Sequence, residues 1–184
     1  MDVITKRVIV ICGIKNSGKT TLIRKLIPIL NDRGYQVATI KHDGHEFESD
    51  VPGTDSYYHQ KAGAYGTAVF SKGQFMVTKK MERIQLEKLL EFFPEADLIL
   101  VEGCKESSYP KIEVIRSLNQ NQPVSNPKGR FLLVTDIPDY ESSEPCCHPE
   151  ETERIADAII RQLERNGSYE VNEDRRRSGA STVS

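Results

Sequence analysis

The fold of this chain is decided by one stretch near its start, VIVICGIKNSGKT over residues 8–20. Its first five residues are apolar and mostly β-branched, which is typical of a strand buried on both faces in a parallel sheet. The next eight residues, 13–20, match the phosphate-loop pattern G-x-x-x-x-G-K-[ST]. Glycines let the backbone curl so that N–H groups point inward, and the following helix N-terminus adds further donors for an anion. The stretch therefore predicts a strand, a P-loop and a helix that together bind a polyphosphate.

Side chains of the loop have distinct predicted roles. Lys19 is placed to reach the β and γ phosphates as the catalytic cation, and the Thr20 hydroxyl is placed to coordinate Mg²⁺. An ordinary strand–turn–helix corner is the alternative, but chance matches to the pattern usually lack this strand and helix context. The residues predicted to contact the nucleotide here are Gly13, Lys15, Asn16, Ser17, Gly18, Lys19, Thr20 and Thr21.

A P-loop needs a second acidic residue to hold magnesium, at the carboxyl end of a neighbouring buried strand. Asp97 and Glu102 bracket such a strand. They are separated by about 16 Å of extended chain, so only one of them can lie near the phosphates. The carboxyl-end rule for parallel sheets selects Glu102 as a metal-binding residue. An exposed carboxylate at the end of a strand is the alternative interpretation.

Asp43 follows the second predicted strand, residues 35–41. It is placed to bind the magnesium shell or to position an attacking water, and is therefore predicted as a catalytic and metal-binding residue. Alternative ligands for a transition metal lie around it: His42, His45, Glu46 and Asp50. Two histidines three residues apart on a loop fix no coordination geometry, so a solvated loop also stays open as an interpretation.

Asp136 follows a predicted strand and is the candidate for base recognition. A carboxylate can accept hydrogen bonds from the N1–H and the N2 amino group of guanine, whereas adenine presents an acceptor at N1. The Asn-Lys-x-Asp element common in GTPases is absent, so a turn-forming aspartate is nearly as good an interpretation.

The four cysteines show no spacing of a disulfide framework and are expected to be reduced thiols. Two of them belong to the run Cys146-Cys147-His148, which contains residue types that bind metals. Three adjacent side chains cannot all face one ion without a large distortion of the loop, which favours a structural or incidental role for this run.

The rest of the pattern predicts a three-layer α/β P-loop fold with a mainly parallel sheet, because apolar strands alternate with amphipathic helices. A β-hairpin extension is predicted around Lys72-Gly73, and a short helix capped by Thr54 or Asp55 precedes it. Longer helices are expected over 84–93 and 150–165. One domain is predicted over 1–166, and residues 167–184 are predicted to be a disordered tail because they have almost nothing to bury.

Composition excludes several classes of protein. The chain has 184 residues, 38% hydrophobic and 28% charged, which is the size of about one domain. Its formal net charge of -2 gives no overall field that would attract nucleic acid or an anionic membrane. No apolar run approaches the ~18 residues of a membrane span, and the first residues lack a signal-peptide pattern. A cytoplasmic protein that binds neither nucleic acid nor membrane is therefore expected.

The motifs together resemble the molybdopterin-guanine dinucleotide biosynthesis protein B family over roughly residues 7–136. The blocks that carry the resemblance are GIKNSGKTTL at 13–22, IKHDGH at 40–45, DVPGTDS at 50–56, AGA at 62–64 and LVEG at 100–103. The resemblance implies a GTP-binding P-loop protein, usually dimeric, that acts beside the guanylyltransferase joining GMP to molybdopterin. It implies an adapter with weak GTPase activity, whose residues 50–56 face the cofactor or the second subunit.

The leading hypothesis is therefore a GTP-binding adapter that uses GTP and Mg²⁺, forms a homodimer, and has the guanylyltransferase and molybdopterin as partners. A small-molecule kinase is the first alternative; its acceptor pocket would be lined by His42, His45, Asp50 and Asp55. A metal-delivery GTPase is the second alternative, motivated by the histidine and cysteine content.

Overall fold

The computed structural model describes residues 7–44, 47–118 and 121–167. The strands of its main sheet are β1 (Val8–Cys12), β2 (Val37–Lys41), β5 (Leu98–Glu102), β6 (Lys111–Ile115), β7 (Arg130–Thr135) and β8 (Cys146–Cys147). They lie in the order β2-β5-β1-β6-β7-β8, and every neighbouring pair is parallel. The carboxyl ends of all six strands therefore meet at one edge, as the predicted α/β fold requires.

Two long helices pack into one hydrophobic core with the main sheet. Helix α1 (Lys19–Asp32) buries Leu22, Ile23, Leu26 and Leu30, and helix α4 (Thr152–Arg165) buries Ile155, Ala156, Ile159 and Leu163. These residues recur at spacings of three and four, so each helix turns one apolar face inward. Helix α1 continues through Pro28 and ends at Asp32. Gly34 follows the cap residue Arg33, and its φ of 86° suits a glycine just after a helix.

Residues 43–86 form a second compact unit, separate from the unit built by the described parts of 1–42 and 87–184. It contains helix α2 (Asp55–Lys61) and an antiparallel hairpin of β3 (Gly66–Phe70) and β4 (Phe75–Lys79). The hydroxyl oxygen of Thr54 accepts a hydrogen bond from the Tyr57 backbone N–H, so the predicted cap is confirmed, as is the hairpin. None of the residues of α2 is buried.

Two elements differ from the sequence predictions. The helix predicted over 84–93 is only one turn long, α3 (Leu86–Leu90), since Phe92 and Phe93 leave it through three-residue turns and remain partly exposed. Strand β8 was not predicted because two residues are too short to show a periodic pattern. It places Cys147 in the core, while Cys146 is half-buried, and burial raises the pKa of both thiols.

Within the residues that the structure describes, no helix is long and apolar enough to cross a membrane. The predicted tail from residue 168 onward lies outside the described residues, as do His45 and Glu46.

Candidate functional site

The P-loop lies at the carboxyl edge of the main sheet, between the end of β1 and the start of α1. Its backbone has a positive φ at Gly13 (136°), Asn16 (62°) and Gly18 (95°), a conformation that L side chains rarely adopt. A side chain at Gly13 would also collide with the carbonyl oxygen of Val114. The glycines of the motif are therefore required by the curl of the loop and by its close approach to β6.

The N-terminus of α1 has no cap of its own. Gly18 occupies the cap position and supplies no side chain, and the first turn contains no acidic residue. The first N–H groups of a helix have no intrahelical acceptor, so this end offers donors to an anion. Beside it, the Ser17 hydroxyl is fully buried and has no hydrogen-bond partner among the described residues. Both features fit a polyphosphate cradle.

The Lys19 side chain folds back over the loop, where Nζ donates a hydrogen bond to the Ile14 carbonyl oxygen at 2.6 Å. Burial lowers the pKa of Lys19, and the nearby Glu102 carboxylate opposes this shift. An ammonium group held by one backbone carbonyl at the centre of the loop can exchange that carbonyl for a phosphate oxygen.

Glu102 lies beside the P-loop because β5 is the neighbour of β1 and pairs Ile11 with Glu102. The Thr20 hydroxyl donates a hydrogen bond to Glu102 Oε1 at 2.9 Å. Asp97 lies at the opposite end of β5, where it accepts a hydrogen bond from the Gln36 backbone N–H. A hydroxyl and a carboxylate next to a phosphate cradle are oxygen ligands that suit Mg²⁺, so the residues present fit this ion.

Asp43 is exposed and is the first residue of the second unit, two positions after the end of β2. Its neighbour His42 is tied to the main sheet, since the His42 N–H donates to the Glu102 carbonyl oxygen at 2.9 Å. Asp50 accepts hydrogen bonds from Thr54 and Gln60 within the second unit. Across residues 7–44, 47–118 and 121–167, no group of three or more His, Cys, Asp or Glu side chains could hold a metal ion.

A cleft of about 430 Å³ opens beside the P-loop, on the side of β6, β7 and β8. Glu102 belongs to β5, on the other side of β1. The residues that line the cleft are Asn16, Ser17, Gly18, Thr21, Leu22, Lys25, Val114, Arg116, Leu118, Val134, Pro149 and Glu150. The loop therefore separates the Thr20–Glu102 pair from a cavity large enough for part of a small ligand.

Asp136 lies at the end of β7, and it is not among the residues that line the cleft. Its carboxylate accepts a hydrogen bond from the Ser117 N–H at 2.8 Å and forms an ion pair with Arg116 at 3.0 Å. These contacts lower the pKa of Asp136, the Ser117 N–H first among them. Asp136 thus holds Arg116 and Ser117 at the edge of the cleft.

Sequence reasoning missed the polar and exposed residues of the cleft outside the P-loop, among them Lys25, Arg116, Leu118 and Glu150. Arg116 could have been found, because it directly follows β6 and the carboxyl-end rule applies to that strand as well. Glu150 could not, since its loop is placed by β8, which has no recognisable pattern.

Comparison with known proteins assigns the family. The family model of molybdopterin guanine dinucleotide synthesis protein B, MobB, matches residues 8–136. The molybdopterin-guanine dinucleotide biosynthesis adapter protein of Escherichia coli K12 is 37% identical over 129 residues, which are 66% of this chain and 74% of that protein. The probable adapter protein of Bacillus subtilis 168 is 33% identical over 112 residues, 59% of this chain and 64% of that protein.

A solved structure agrees with this assignment. The crystal structure of Bacillus subtilis MobB matches with a TM-score of 0.68 at 27% identity, and the match covers 85% of this chain and 98% of that one. The resemblance seen in the sequence is confirmed by the family model, by the relatives and by the fold. This chain belongs to the molybdopterin guanine dinucleotide synthesis protein B family.

Proposed function

We propose that this chain is a GTP-binding adapter that assists the joining of GMP to molybdopterin and hydrolyses GTP slowly. A role in molybdopterin guanine dinucleotide synthesis follows from membership of the family. The observation that supports nucleotide binding best is the Thr20–Glu102 hydrogen bond of 2.9 Å, beside a P-loop whose lysine donates to a backbone carbonyl. This arrangement has the parts that a Mg²⁺–triphosphate needs.

In this proposal, Thr20 and Glu102 would hold Mg²⁺, which supplies neutralising charge to the phosphates when bound. Lys19 would leave the Ile14 carbonyl for a phosphate oxygen, and the N–H groups from Gly13 to Thr20 would surround the phosphates. The sequence assigns Asp43 to the orientation of the attacking water or to the magnesium shell, and this role is part of the proposal.

The proposed partners are the guanylyltransferase, molybdopterin and a second copy of the chain, and the proposed location is the cytoplasm. The second unit supports an assembly, because it exposes large apolar side chains on its hairpin: Val69, Phe70, Phe75, Met76 and Val77. Exposed apolar surface of this kind is typical of an interaction site. The net charge of -2 supports neither nucleic acid nor an anionic membrane as a partner.

The proposal is tested with Lys19→Ala, measured by calorimetry with GTP and Mg²⁺. We expect GTP affinity to fall about 100-fold or more, because the variant removes the charge-assisted hydrogen bonds to the phosphates. The matched control is Lys88→Ala, which removes an exposed lysine of α3 that pairs with Glu91. Thermal unfolding of both variants should stay close to that of the wild type. Equal GTP affinity for Lys19→Ala and the wild type would refute the site.

A further inference from the structure

The cleft beside the P-loop is in a position to hold the nucleoside of a bound triphosphate. Under the proposed function, Thr20 and Glu102 would hold Mg²⁺, and with it the γ-phosphate end of the ligand, on the β5 side of β1. The rest of the nucleotide then runs across the N-terminus of α1 towards β6. The cleft begins there, at Asn16 and Gly18, and its volume of about 430 Å³ accommodates a base with part of its ribose.

The walls of the cleft suit a planar base. Leu118 lines it and is 89% exposed, so its apolar side chain is open to contact with a ligand. Pro149 adds a second apolar surface, and the Arg116 guanidinium adds a polar one. Flat aromatic ligands pack on such apolar surfaces, while the polar groups at the rim determine which base is accepted.

Glu150 is the acidic group in this lining. Its Oε2 contacts Lys25 Nζ at 2.6 Å, and Lys25 also lines the cleft. The loop that carries Glu150 is fixed by its own hydrogen bonds: the His148 N–H donates to Glu151 Oε2 at 2.6 Å, and the Glu151 N–H donates to the His148 carbonyl oxygen at 2.9 Å. A carboxylate has two lone pairs on each oxygen. Lys25 can therefore orient the Glu150 carboxylate and leave lone pairs free to accept hydrogen bonds from a ligand.

We propose that this cleft is the guanosine part of the site and that Glu150 distinguishes guanine from adenine by accepting hydrogen bonds from the guanine N1–H and N2 amino group. Adenine has an acceptor at N1, so it would face the carboxylate with a lone pair where guanine offers an N–H donor. The inference rests on the proposed function. Asp136 then acts as a positioning residue, since its carboxylate already holds Ser117 and Arg116.

The decisive variant is Glu150→Gln, measured by calorimetry with GTP and with XTP, each with Mg²⁺. An amide can accept from N1–H and donate to the C2 carbonyl of xanthine, but it opposes the amino group of guanine. We expect GTP affinity to fall about 10- to 100-fold and XTP affinity to rise, so that the base preference inverts. The control is Glu153→Gln, because Glu153 has nearly the same exposure as Glu150 (71% against 70%) and an ion pair of the same length, with Arg33.

Asp136→Asn separates the two candidate carboxylates. If Asp136 only positions Arg116 and Ser117, this variant weakens GTP and XTP binding together and does not invert the preference. An inversion by Asp136→Asn instead of Glu150→Gln would overturn the inference and leave the proposed function intact. Equal behaviour of Glu150→Gln and Glu153→Gln, or a wild type with no preference for guanine, would also overturn the inference alone. A wild type that binds no nucleotide would refute both.

Discussion

At the scale of single residues, Arg130 is the centre of an ionic cluster with Glu113 and Glu144. Its Nε contacts Glu144 at 2.7 Å, and a terminal nitrogen contacts the buried Glu113 at 3.2 Å. Burial raises the pKa of Glu144, but hydrogen bonds from Arg130, Ser142 and Ser143 outweigh this and lower the pKa to about 2. Glu144 therefore stabilises the folded state in its ionised form.

This cluster predicts a pH-dependent loss of stability. The folded pKa of Glu144 lies below its unfolded value of 4.5, so its contribution is complete above about pH 4.5 and is lost as pH falls towards 2. Glu144→Gln should lower the free energy of unfolding by about 1–3 kcal/mol at pH 7, and the difference from wild type should shrink in acid. Urea unfolding at pH 7 and pH 3 measures this.

The control for this prediction is Glu141→Gln, which removes an exposed glutamate in the same loop. It should leave the free energy of unfolding within about 0.5 kcal/mol of wild type at both pH values. A difference between Glu144→Gln and wild type that is constant with pH would contradict the assigned pKa.

The role of a residue was predictable from the sequence where a general rule relates its sequence position to its location in the fold. Glu102 follows a buried strand, so the carboxyl-end rule placed it beside the P-loop. Lys111 and Glu113 were not recognisable as buried, because an alternating pattern such as KIEVI is typical of a strand with one solvated face. Their burial depends on loops that fold back over the strand, and a local pattern does not report such contacts.

At the scale of elements, β6 is a strand whose two charged side chains anchor the connection to β7. Lys111 Nζ donates to the carbonyl oxygens of Asn126 and Lys128 at 2.9 Å. Glu113 accepts hydrogen bonds from the Val124 N–H at 2.6 Å and from the Ser125 N–H and hydroxyl. Both charged groups are buried, but hydrogen bonds offset the cost of removing them from water. They therefore hold the connection in place and do not destabilise the strand.

Glu113→Gln tests this anchoring. The variant removes the charge that faces Arg130 and replaces one acceptor oxygen by a donor, which opposes the backbone N–H groups. We expect the free energy of unfolding to fall by about 2–4 kcal/mol, and the amides of Val124 and Ser125 to exchange hydrogen faster. Native-state hydrogen exchange with urea unfolding gives both quantities.

The control for the anchor is Glu164→Gln on α4, where the glutamate is exposed. It should change the free energy of unfolding by less than about 0.5 kcal/mol. Unchanged exchange at Val124 and Ser125 in Glu113→Gln would show that the connection is held by other contacts.

Elements were predictable in proportion to their length and periodicity. Helix α4 spans 14 residues and buries one regular face, and its prediction was accurate to about two residues. Helix α3 was predicted too long because the apolar spacing continues to Phe93, although Phe92 and Phe93 remain partly exposed. The end of such a helix is set by where its apolar side chains stop packing against the rest of the protein. The spacing of apolar residues in the sequence does not show that position.

At the scale of the whole molecule, the hairpin of the second unit exposes apolar side chains to solvent in a single copy of the chain. Phe70 and Phe75 face each other across the hairpin and are 83% and 69% exposed. A two-stranded hairpin is marginally stable alone in water, so its apolar side chains need further packing. This is the main structural support for the proposed homodimer.

The homodimer is tested by replacing both phenylalanines with serine and measuring mass by sedimentation velocity. We expect the wild type to sediment as a dimer and the Phe70→Ser, Phe75→Ser variant as a monomer, because the apolar contact area is lost. Phe92→Ser is the control, since Phe92 is 59% exposed but belongs to the main unit. A wild-type monomer, or a double variant that remains dimeric, would exclude this interface.

The fold of the whole molecule was predictable because strands, helices and a P-loop follow one another in an order that few architectures satisfy. The hairpin itself was predictable from the sequence, but the exposure of its apolar side chains was not. An apolar strand has the same sequence pattern whether its face meets its own core or a second chain, so Val69 and Met76 gave no sign of their exposure.

The missing cap of α1 has a consequence for the stability of the molecule. Because Gly18 supplies no side chain to the helix N-terminus, the phosphates of a ligand would cap a helix that contributes Leu22, Ile23, Leu26 and Leu30 to the core. Ligand binding and folding are then linked by mass action: a free ligand at 100 times its dissociation constant adds about 2.7 kcal/mol to the free energy of unfolding. The nucleotide would thus act as a folding cofactor, and the resistance of the chain to heat and proteolysis would follow the nucleotide supply.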